Sequence, residues 1–185
     1  PETTLLILDE AYIDCAPRGT ALALDTGNRN ALRMRTFSKA YGMAGARVGY
    51  AIGHRDTVRA FEKVRDHFGM NRVSQIGALA ALADQDYLAE VVAKIKKSRS
   101  QISEIAKENL LEALPSATNF VTIDCGKDAA FAGRTLAALA DQGVFIRKPF
   151  AHPGDRCIRV SCGTEKDMNR LAAALSVALN KANQG

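Results

Sequence analysis

The stretch from Thr36 to Tyr50 constrains this chain most, because it sets one lysine among hydroxyls and glycines and places an arginine eight residues further on. An amine that attacks an aldehyde needs a lowered pKa and a fixed position, and a tight turn beside other cations supplies both more readily than a solvated helix face. We therefore interpret Lys39 as a Schiff-base lysine. The hydroxyls of Thr36 and Ser38 and the planar guanidinium of Arg47 suit a phosphate. Together these groups indicate a site for an aldehyde that carries a phosphate.

Three glycines in the same stretch predict a tight turn. Gly42, Gly45 and Gly49 can take positive φ or let the backbone approach a ligand, since they have no Cβ. The alternative is a surface turn with one exposed lysine and an ion-paired arginine, which is the usual outcome for such residues taken singly. Fifteen residues in this order make that alternative the weaker one.

The order T-F-S-K-A-Y-G-M-A-G-A-R-V-G-Y resembles the lysine segment of fold-type I pyridoxal-phosphate aminotransferases, most of all that of histidinol-phosphate aminotransferases. The resemblance implies that Lys39 binds pyridoxal 5'-phosphate covalently, while Thr36, Ser38 and Arg47 hold the phosphate of that cofactor. It also implies an α/β fold, the C-terminal part of a fold-type I transferase. Such a part contains some of a mainly parallel large-domain sheet with helices, plus a small α/β C-terminal domain.

A short apolar run, Thr3–Leu8, has no polar alternation and is typical of a parallel strand buried on both faces. It ends in D-E-A-Y, a motif that matches the same family. Ligands of open α/β sheets lie beyond the carboxyl ends of strands, so Asp9 and Tyr12 are expected beside the cofactor. A carboxylate there keeps the pyridine nitrogen protonated and makes the ring an electron sink, and Tyr12 is expected to donate to the ring oxygen. Taken alone, an acid at a strand end is more often a cap or turn residue.

Two further strands are expected at Ala31–Phe37 and Arg47–Gly53, parallel to the first and with all three ends on one edge of the sheet. The loop between residues 13 and 30 is expected to contain a short helix around Ala21–Leu24.

The helical periodicity begins after Asp56, with apolar residues on one face at Val58, Phe61, Val64 and Phe68. A long helix is expected from Ser74 to about Glu108, with a break near residues 84–86. Its basic cluster at residues 94–99 is interpreted as a solvated face rather than a nucleic-acid site.

From Glu112 the pattern becomes β-α-β-β-α, with elements expected at Asn119–Asp124, Ala129–Ala140, Val144–Arg147, Cys157–Ser161 and Glu165–Asn180. This predicts a small α/β domain over residues 109–185. The long helix, residues 74–108, would connect it to the C-terminal part of the cofactor-binding domain, residues 1–73.

Arg159 interrupts an apolar strand, where an arginine needs an anion. Bidentate pairing to a substrate α-carboxylate is the physical match, and C-I-R-V-S-C-G-T resembles the family segment whose arginine binds that carboxylate. The alternative is an ion pair with an Asp or Glu of the same domain. Arg147 resembles a family arginine near the phosphate-bearing end of the substrate, with Lys148 inserted before Pro149. Asn119 resembles a family asparagine near the site, although such a residue also caps turns.

The formal net charge of +5, from 25 Lys and Arg against 20 Asp and Glu, favours anionic small ligands over nucleic acid. Four cysteines and three histidines lack ligand-like spacing, so neither a metal site nor a disulfide framework is expected. No apolar run approaches ~18 residues and no leader is visible. We therefore expect a cytoplasmic protein that binds neither nucleic acid nor membrane.

The resemblance implies transamination in histidine biosynthesis, with histidinol phosphate as the favoured amino donor, 2-oxoglutarate as the acceptor and a homodimer as the assembly. Aromatic amino acid transamination and threonine-phosphate-type decarboxylation stay open, because the residues around Lys39 serve all three. Compared with the family, a chain that begins at Pro1 looks like the C-terminal half alone. A hypothesis of another class is therefore a non-catalytic fragment or oligomerisation module.

Overall fold

The computed structural model of this chain describes residues 3–23 and 25–184. The chain divides into two compact units, unit 1 (Pro1–Val92) and unit 2 (Ala93–Gly185). Within the described residues, no helix is both long enough and apolar enough to cross a membrane.

The described residues of unit 1 form a sheet of three strands in the order β1 (Leu6–Asp9), β2 (Ala31–Thr36) and β3 (Gly49–Gly53). The first two are parallel, as expected, with Asp9 opposite Met34. The expectation that β3 is also parallel was wrong, because β3 runs antiparallel to β2. A parallel return needs a crossover connection, whereas the chain between these strands forms turns and one short 3-10 helix and folds back directly.

The antiparallel pairing sets Gly49 opposite Thr36, so β3 begins at the edge of the sheet where β1 and β2 end. The carboxyl ends of two strands and the amino end of the third therefore meet at one edge.

The helices of unit 1 are α1 (Arg55–Arg59) and α2 (Arg72–Ala83), and α3 (Gln85–Glu108) begins there and continues into unit 2. The helical period expected after Asp56 is only partly formed, because α1 passes into a short 3-10 helix, Ala60–Lys63. Val64 and Phe68, which were expected on the apolar face of a helix, lie beyond it and are exposed. The break between α2 and α3 is confirmed at Asp84, whose ψ of 72° is not helical.

The expected short helix around Ala21–Leu24 is absent from residues 21–23 of the described chain, and Leu24 lies outside the described residues. Asn71 caps the amino end of α2, since its side-chain oxygen accepts a hydrogen bond from the Ser74 amide at 2.8 Å.

Unit 2 contains an antiparallel sheet in the order β4 (Glu112–Ala113), β5 (Phe120–Asp124) and β6 (Cys157–Ser161), with helices α4 (Ala129–Asp141) and α5 (Glu165–Gln184). Four of the five elements of the expected β-α-β-β-α pattern are confirmed, namely β5, α4, β6 and α5, and β4 is a further short strand. The helices cover the sheet, and residues of both form an apolar core that includes Ile123, Leu139, Ile158 and Leu175.

The prediction of a strand at Val144–Arg147 was wrong. Only Arg147 pairs, through an isolated antiparallel bridge to Arg159. The Val144 amide donates instead to Leu139 at the end of α4, 2.9 Å away. Pro149, two residues after the bridge, has no N–H with which to extend a ladder.

Candidate active site

The first group of candidate residues lies on the edge of the unit 1 sheet where β1 and β2 end. Asp9 is the last residue of β1 and is exposed, and its Oδ1 accepts a hydrogen bond from the Ala11 amide at 2.9 Å. Tyr12 follows at the start of a single 3-10 turn and is half-buried. The parallel pairing of β1 with β2 therefore delivers a carboxylate and a phenol beside the turn that contains Lys39.

Lys39 is half-buried, and its Nζ lies 4.8 Å from the centre of the Tyr12 ring. Its carbonyl accepts a hydrogen bond from the Gly42 amide at 2.9 Å, which closes the turn. Across residues 3–23 and 25–184, the Lys39 amine makes no salt bridge. Among the described residues, the amine therefore lies over an aromatic ring with no carboxylate paired to it, which suits a lysine that attacks a carbonyl carbon.

The hydroxyls of Thr36 and Ser38 form a hydrogen-bonded pair 2.9 Å apart. The Thr36 hydroxyl donates to Ser38 Oγ and lies 3.4 Å from the Val48 carbonyl, and it accepts from the Ser38 amide at 3.0 Å. Because a hydroxyl has one proton, Ser38 keeps its own proton for a ligand. This geometry favours Ser38 as the direct phosphate donor and Thr36 as the residue that orients it, and both roles stay predictions.

Arg47 occupies left-handed backbone, with φ 53° and ψ 46°. Its side chain is exposed, and Nη1 donates to the Ala44 carbonyl at 2.8 Å. Left-handed backbone costs a non-glycine residue about 1 kcal/mol or more and is concentrated at functional positions. The strain therefore supports a ligand-binding role for this arginine, which the sequence motif predicts.

The three glycines of the lysine stretch differ in what they require. Gly42 takes positive φ, 70°. At Gly49 an added Cβ would lie 2.7 Å from the Arg35 carbonyl, so glycine permits the close approach of β3 to β2. Gly45 has neither positive φ nor a close neighbour, and the structure gives no reason for glycine there.

Sequence reasoning missed the charged residues that lie behind this edge. Glu10 forms salt bridges with Arg33 and Arg35 of β2, at 3.5 Å and 2.9 Å. Burial by itself lowers the pKa of Arg35, but hydrogen bonds to Glu10 and Tyr50 outweigh it, so the net shift of that pKa is upward. Burial raises the pKa of Asp14, and Arg35 opposes that rise. The only sequence signal was the charge of two alternate residues within an otherwise apolar strand.

The second group of candidate residues lies in unit 2 around Arg159 of β6. Its guanidinium carbon lies 4.5 Å from the centre of the Phe120 ring, a cation–π contact. Its Nε is buried and has no hydrogen-bond partner, and no described carboxylate lies within salt-bridge distance of this guanidinium. The structure therefore does not contain the ion pair that was the alternative to an anion site.

Arg147 is the cross-strand partner of Arg159. The two residues exchange backbone hydrogen bonds of 3.1 Å and 2.7 Å, so their side chains leave the same face of the sheet. Both line a cavity of about 370 Å³, with the remaining wall formed by Lys148, Pro149, Phe150 and Ala151. Three cations on one cavity favour an anionic ligand.

Asn119 immediately precedes Phe120, and its carbonyl accepts a hydrogen bond from the Cys162 amide at 2.8 Å. It is thus next to the aromatic ring that supports Arg159. Contact between its side chain and a substrate stays a prediction.

The donor set of unit 1 fits pyridoxal 5'-phosphate. A carboxylate suits the pyridine nitrogen, a phenol the ring oxygen and an amine the aldehyde, and a hydroxyl with a guanidinium suits the phosphate. Asp9, Tyr12, Lys39, Ser38 and Arg47 supply these groups within one unit.

The profile of the family described as aminotransferase class I and II matches residues 2–175. The chain therefore belongs to the class I and II aminotransferase family, which confirms the resemblance found in the lysine segment. Among curated relatives, the histidinol-phosphate aminotransferase of Geotalea uraniireducens is 36% identical over 173 residues, covering 92% of this chain and 48% of the relative. That of Bacillus velezensis is 35% identical over 182 residues, covering 97% of this chain and 50% of the relative. The chain spans about half the length of these relatives.

A solved structure of histidinol-phosphate aminotransferase from Sinorhizobium meliloti, in complex with pyridoxal-5'-phosphate, is 51% identical with a TM-score of 0.93. The match covers 97% of this chain and 50% of that one. Aspartate aminotransferase from Thermus thermophilus has 21% identity and a TM-score of 0.76, over 95% of this chain and 48% of its own, and shows the fold alone. The expected fold class is confirmed.

Proposed function

We propose that the full-length protein is a pyridoxal-phosphate-dependent aminotransferase to which this chain contributes the lysine, the ring-nitrogen carboxylate and the substrate arginines. The observation that carries the proposal is the position of Lys39 Nζ, 4.8 Å from the Tyr12 ring and beside the edge where Asp9 ends β1. The family match and the relatives named histidinol-phosphate aminotransferases support it.

Each residue of unit 1 has a separate task in this proposal. When bound, the cofactor supplies an electron sink that stabilises negative charge at the substrate α-carbon. Asp9 holds a proton on the pyridine nitrogen, and Tyr12 donates to the ring oxygen. Lys39 first anchors the aldehyde carbon and then moves a proton at the substrate α-carbon. Ser38, oriented by Thr36, and Arg47 bind the phosphate.

The positive charge of the unit 2 cavity supports the proposed substrates, which are anions. Arg159 binds the carboxylate of a 2-oxo acid in two parallel hydrogen bonds. Arg147, on the same face, receives the phosphate of the amino donor. Histidinol phosphate as donor, 2-oxoglutarate as acceptor and a homodimer as the assembly complete the proposal.

The test is a set of spectra and rates on the full-length protein. We expect a visible absorbance band when pyridoxal 5'-phosphate is added, lost in Lys39→Ala and retained in Lys63→Ala, an exposed lysine of the same unit. A band that persists in Lys39→Ala would overturn the assignment of the lysine.

Substrate choice is tested with three donors at equal concentration. We expect kcat/KM for histidinol phosphate to exceed that for phenylalanine by at least tenfold, and no release of carbon dioxide from threonine phosphate. A preference for phenylalanine would favour the aromatic alternative, and carbon dioxide release would favour the decarboxylase.

A further inference from the structure

The side chain of Glu10 lies between two arginines of the neighbouring strand. Glu10 Oε2 is 2.9 Å from Arg35 Nε, and Oε1 is 3.5 Å from Arg33 Nη1. The side chains of Glu10 and Arg33 are only 10% and 9% exposed, and that of Arg35 is 23% exposed. Loss of one partner from so buried a cluster leaves an uncompensated charge, so these contacts are not an incidental surface pair.

The backbone of Glu10 is fixed to the same place. Its amide donates to the Met34 carbonyl at 2.9 Å, which continues the parallel pairing beyond Asp9. Arg33 and Arg35 flank Met34 and point to one face of β2, because alternate residues of a strand share a face. Glu10 is therefore attached to three successive residues of β2.

The cluster reaches the other elements around the edge. Arg33 Nη2 donates to the carbonyls of Leu22 and Ala23, at 2.7 Å and 3.1 Å, which holds the loop between β1 and β2 against the sheet. Arg35 is also the cross-strand partner of Tyr50 on β3. One carboxylate thus connects the turn after β1, the strand that leads to Lys39, the intervening loop and the third strand.

An ionic cluster is a costly means of stability alone, since well-packed apolar residues of similar volume often stabilise equally well. Directional contacts do fix geometry, and the residue that they fix is the immediate neighbour of Asp9. A catalytic group must be held within about 0.5 Å of its productive position by the contacts around it. The cluster lies where such support for Asp9 and for the Lys39 turn is needed.

We propose that Glu10 is a positioning residue which, through Arg33 and Arg35, fixes the Asp9 carboxylate relative to the strand that presents Lys39. The inference rests on the proposed roles of Asp9 and Lys39. Glu10 itself does not touch the cofactor. It determines how well the Asp9 carboxylate holds the proton on the pyridine nitrogen.

The experiment uses the full-length holoenzyme with cofactor labelled at the ring nitrogen, whose NMR shift reports the proton there without turnover. Glu10→Gln keeps the shape and removes the charge. We expect it to move the ring-nitrogen shift toward the unprotonated value and to weaken cofactor binding by about tenfold, as loss of supporting contacts does elsewhere. The matched control is Glu62→Gln, whose exposed partner Arg65 binds through the same Nε at 2.7 Å. It should leave both quantities unchanged.

Arg35→Lys is the second variant, because it retains the cation but loses the guanidinium geometry at Glu10. It should move the nitrogen shift in the same direction, and it decides the matter if Glu10→Gln does not fold. A lower melting temperature with an unchanged nitrogen shift and cofactor affinity, in whichever variant folds, would overturn the inference and leave a purely structural cluster.

Asp9→Asn separates the inference from the function on which it rests. If this variant leaves the nitrogen shift unchanged, the proposed role of Asp9 fails. If it moves the shift while Glu10→Gln and Arg35→Lys do not, only the role of Glu10 fails.

Discussion

Unit 2 buries an apolar core of its own, whereas unit 1 exposes side chains of the type that usually form one. Ile123, Leu139 and Leu175 of unit 2 are 0% exposed. In unit 1, Ile7 of β1 is 59% exposed and Leu79 of α2 is 72% exposed. The difference teaches that an apolar pattern specifies which face needs cover, but not which part of a protein supplies that cover.

The exposed strand β1 also keeps the second hypothesis open. An apolar edge of this kind invites pairing with another surface. If the 185-residue chain forms a defined oligomer and shows no cofactor absorbance, an oligomerisation module describes it better than an enzyme does. Sedimentation combined with the Lys39→Ala spectra distinguishes the two.

The two units also differ in chemistry, since unit 1 holds the candidate cofactor residues. The largest expected effect is therefore that of Asp9→Asn in the full-length enzyme, a loss of about 1000-fold in kcat with cofactor still bound. The amide keeps the shape but cannot stabilise a proton on the pyridine nitrogen. The control is Asp66→Asn, since Asp66 also accepts from the amide two residues on, at 3.1 Å. Near-normal turnover at saturating cofactor would move the role away from Asp9.

The contrast in packing predicts the next effect. Leu175→Ala should lower the free energy of unfolding by about 3 kcal/mol, because it leaves a cavity in a filled core. Leu79→Ala removes the same atoms from an exposed site and should cost less than about 0.5 kcal/mol. Urea unfolding followed by far-UV circular dichroism measures both.

Tyrosine fluorescence refines that measurement, since all four tyrosines lie in unit 1 and the chain has no tryptophan. Leu175→Ala should shift the dichroism transition more than the fluorescence transition. Equal shifts would show that the units unfold together and would remove the contrast.

Unit 2 should control substrate rather than cofactor. We expect Arg159→Lys to reduce kcat/KM for 2-oxoglutarate by about 100-fold, since an ammonium cannot form two parallel bonds to a carboxylate. Cofactor affinity should not change. Arg134→Lys is the control, because Arg134 also lies over an aromatic ring, Phe131, at 5.9 Å. A matching loss of cofactor affinity in Arg159→Lys would contradict the division of tasks.

Arg147→Ala completes that comparison. It should harm histidinol phosphate more than 2-oxoglutarate, whereas Arg159→Lys should harm 2-oxoglutarate at least as much as the donor. Half-reaction rates for each substrate test this. Equal losses for both substrates in both variants would show that the two arginines act as one cluster, and the reason to prefer a phosphorylated donor would disappear.

The smallest expected effect concerns alkaline pH. Burial, with smaller contributions from Cys157 and Asp124, raises the pKa of the Cys125 thiol to about 11 from its ordinary 9.0. The unfolded chain ionises first as pH rises, so this stability is complete below pH 9 and is lost between about pH 9 and 11. The loss should be about 1 kcal/mol at pH 10.

Cys125→Ser should reduce this loss, as measured by urea unfolding at pH 8 and pH 10. Cys15→Ser, in unit 1, is the comparison variant that corrects for replacing a buried thiol. An unchanged difference between the two pH values in Cys125→Ser would contradict the assignment.

The sequence was informative where function depends on neighbours along the chain. The D-E-A-Y and S-K motifs are local, and they led to Asp9, Tyr12 and Lys39 and to the family. The break at Asp84 was also local, since polar residues interrupt the helical period there.

The sequence was uninformative where a structural feature depends on contacts between residues that are distant along the chain. The direction of β3 could not be derived, because periodicity identifies a strand without giving its orientation. Glu10 was overlooked because Arg33 and Arg35 are more than twenty positions away along the chain. Arg147 was assigned to a strand because apolar residues precede it, although one bridge is all that forms.

The bridge between Arg147 and Arg159 also affects the stability of the unit 2 sheet. Among the described residues, one bridge joins residue 147 to β6, and like charges on directly opposed residues weaken it. An anion between them reverses the sign of that interaction. By linkage, a ligand at a hundred times its Kd stabilises the folded state by about 2.7 kcal/mol. A bound substrate would thus strengthen the pairing of Arg147 with Arg159 at the edge of β6, and release of the product would weaken that pairing again.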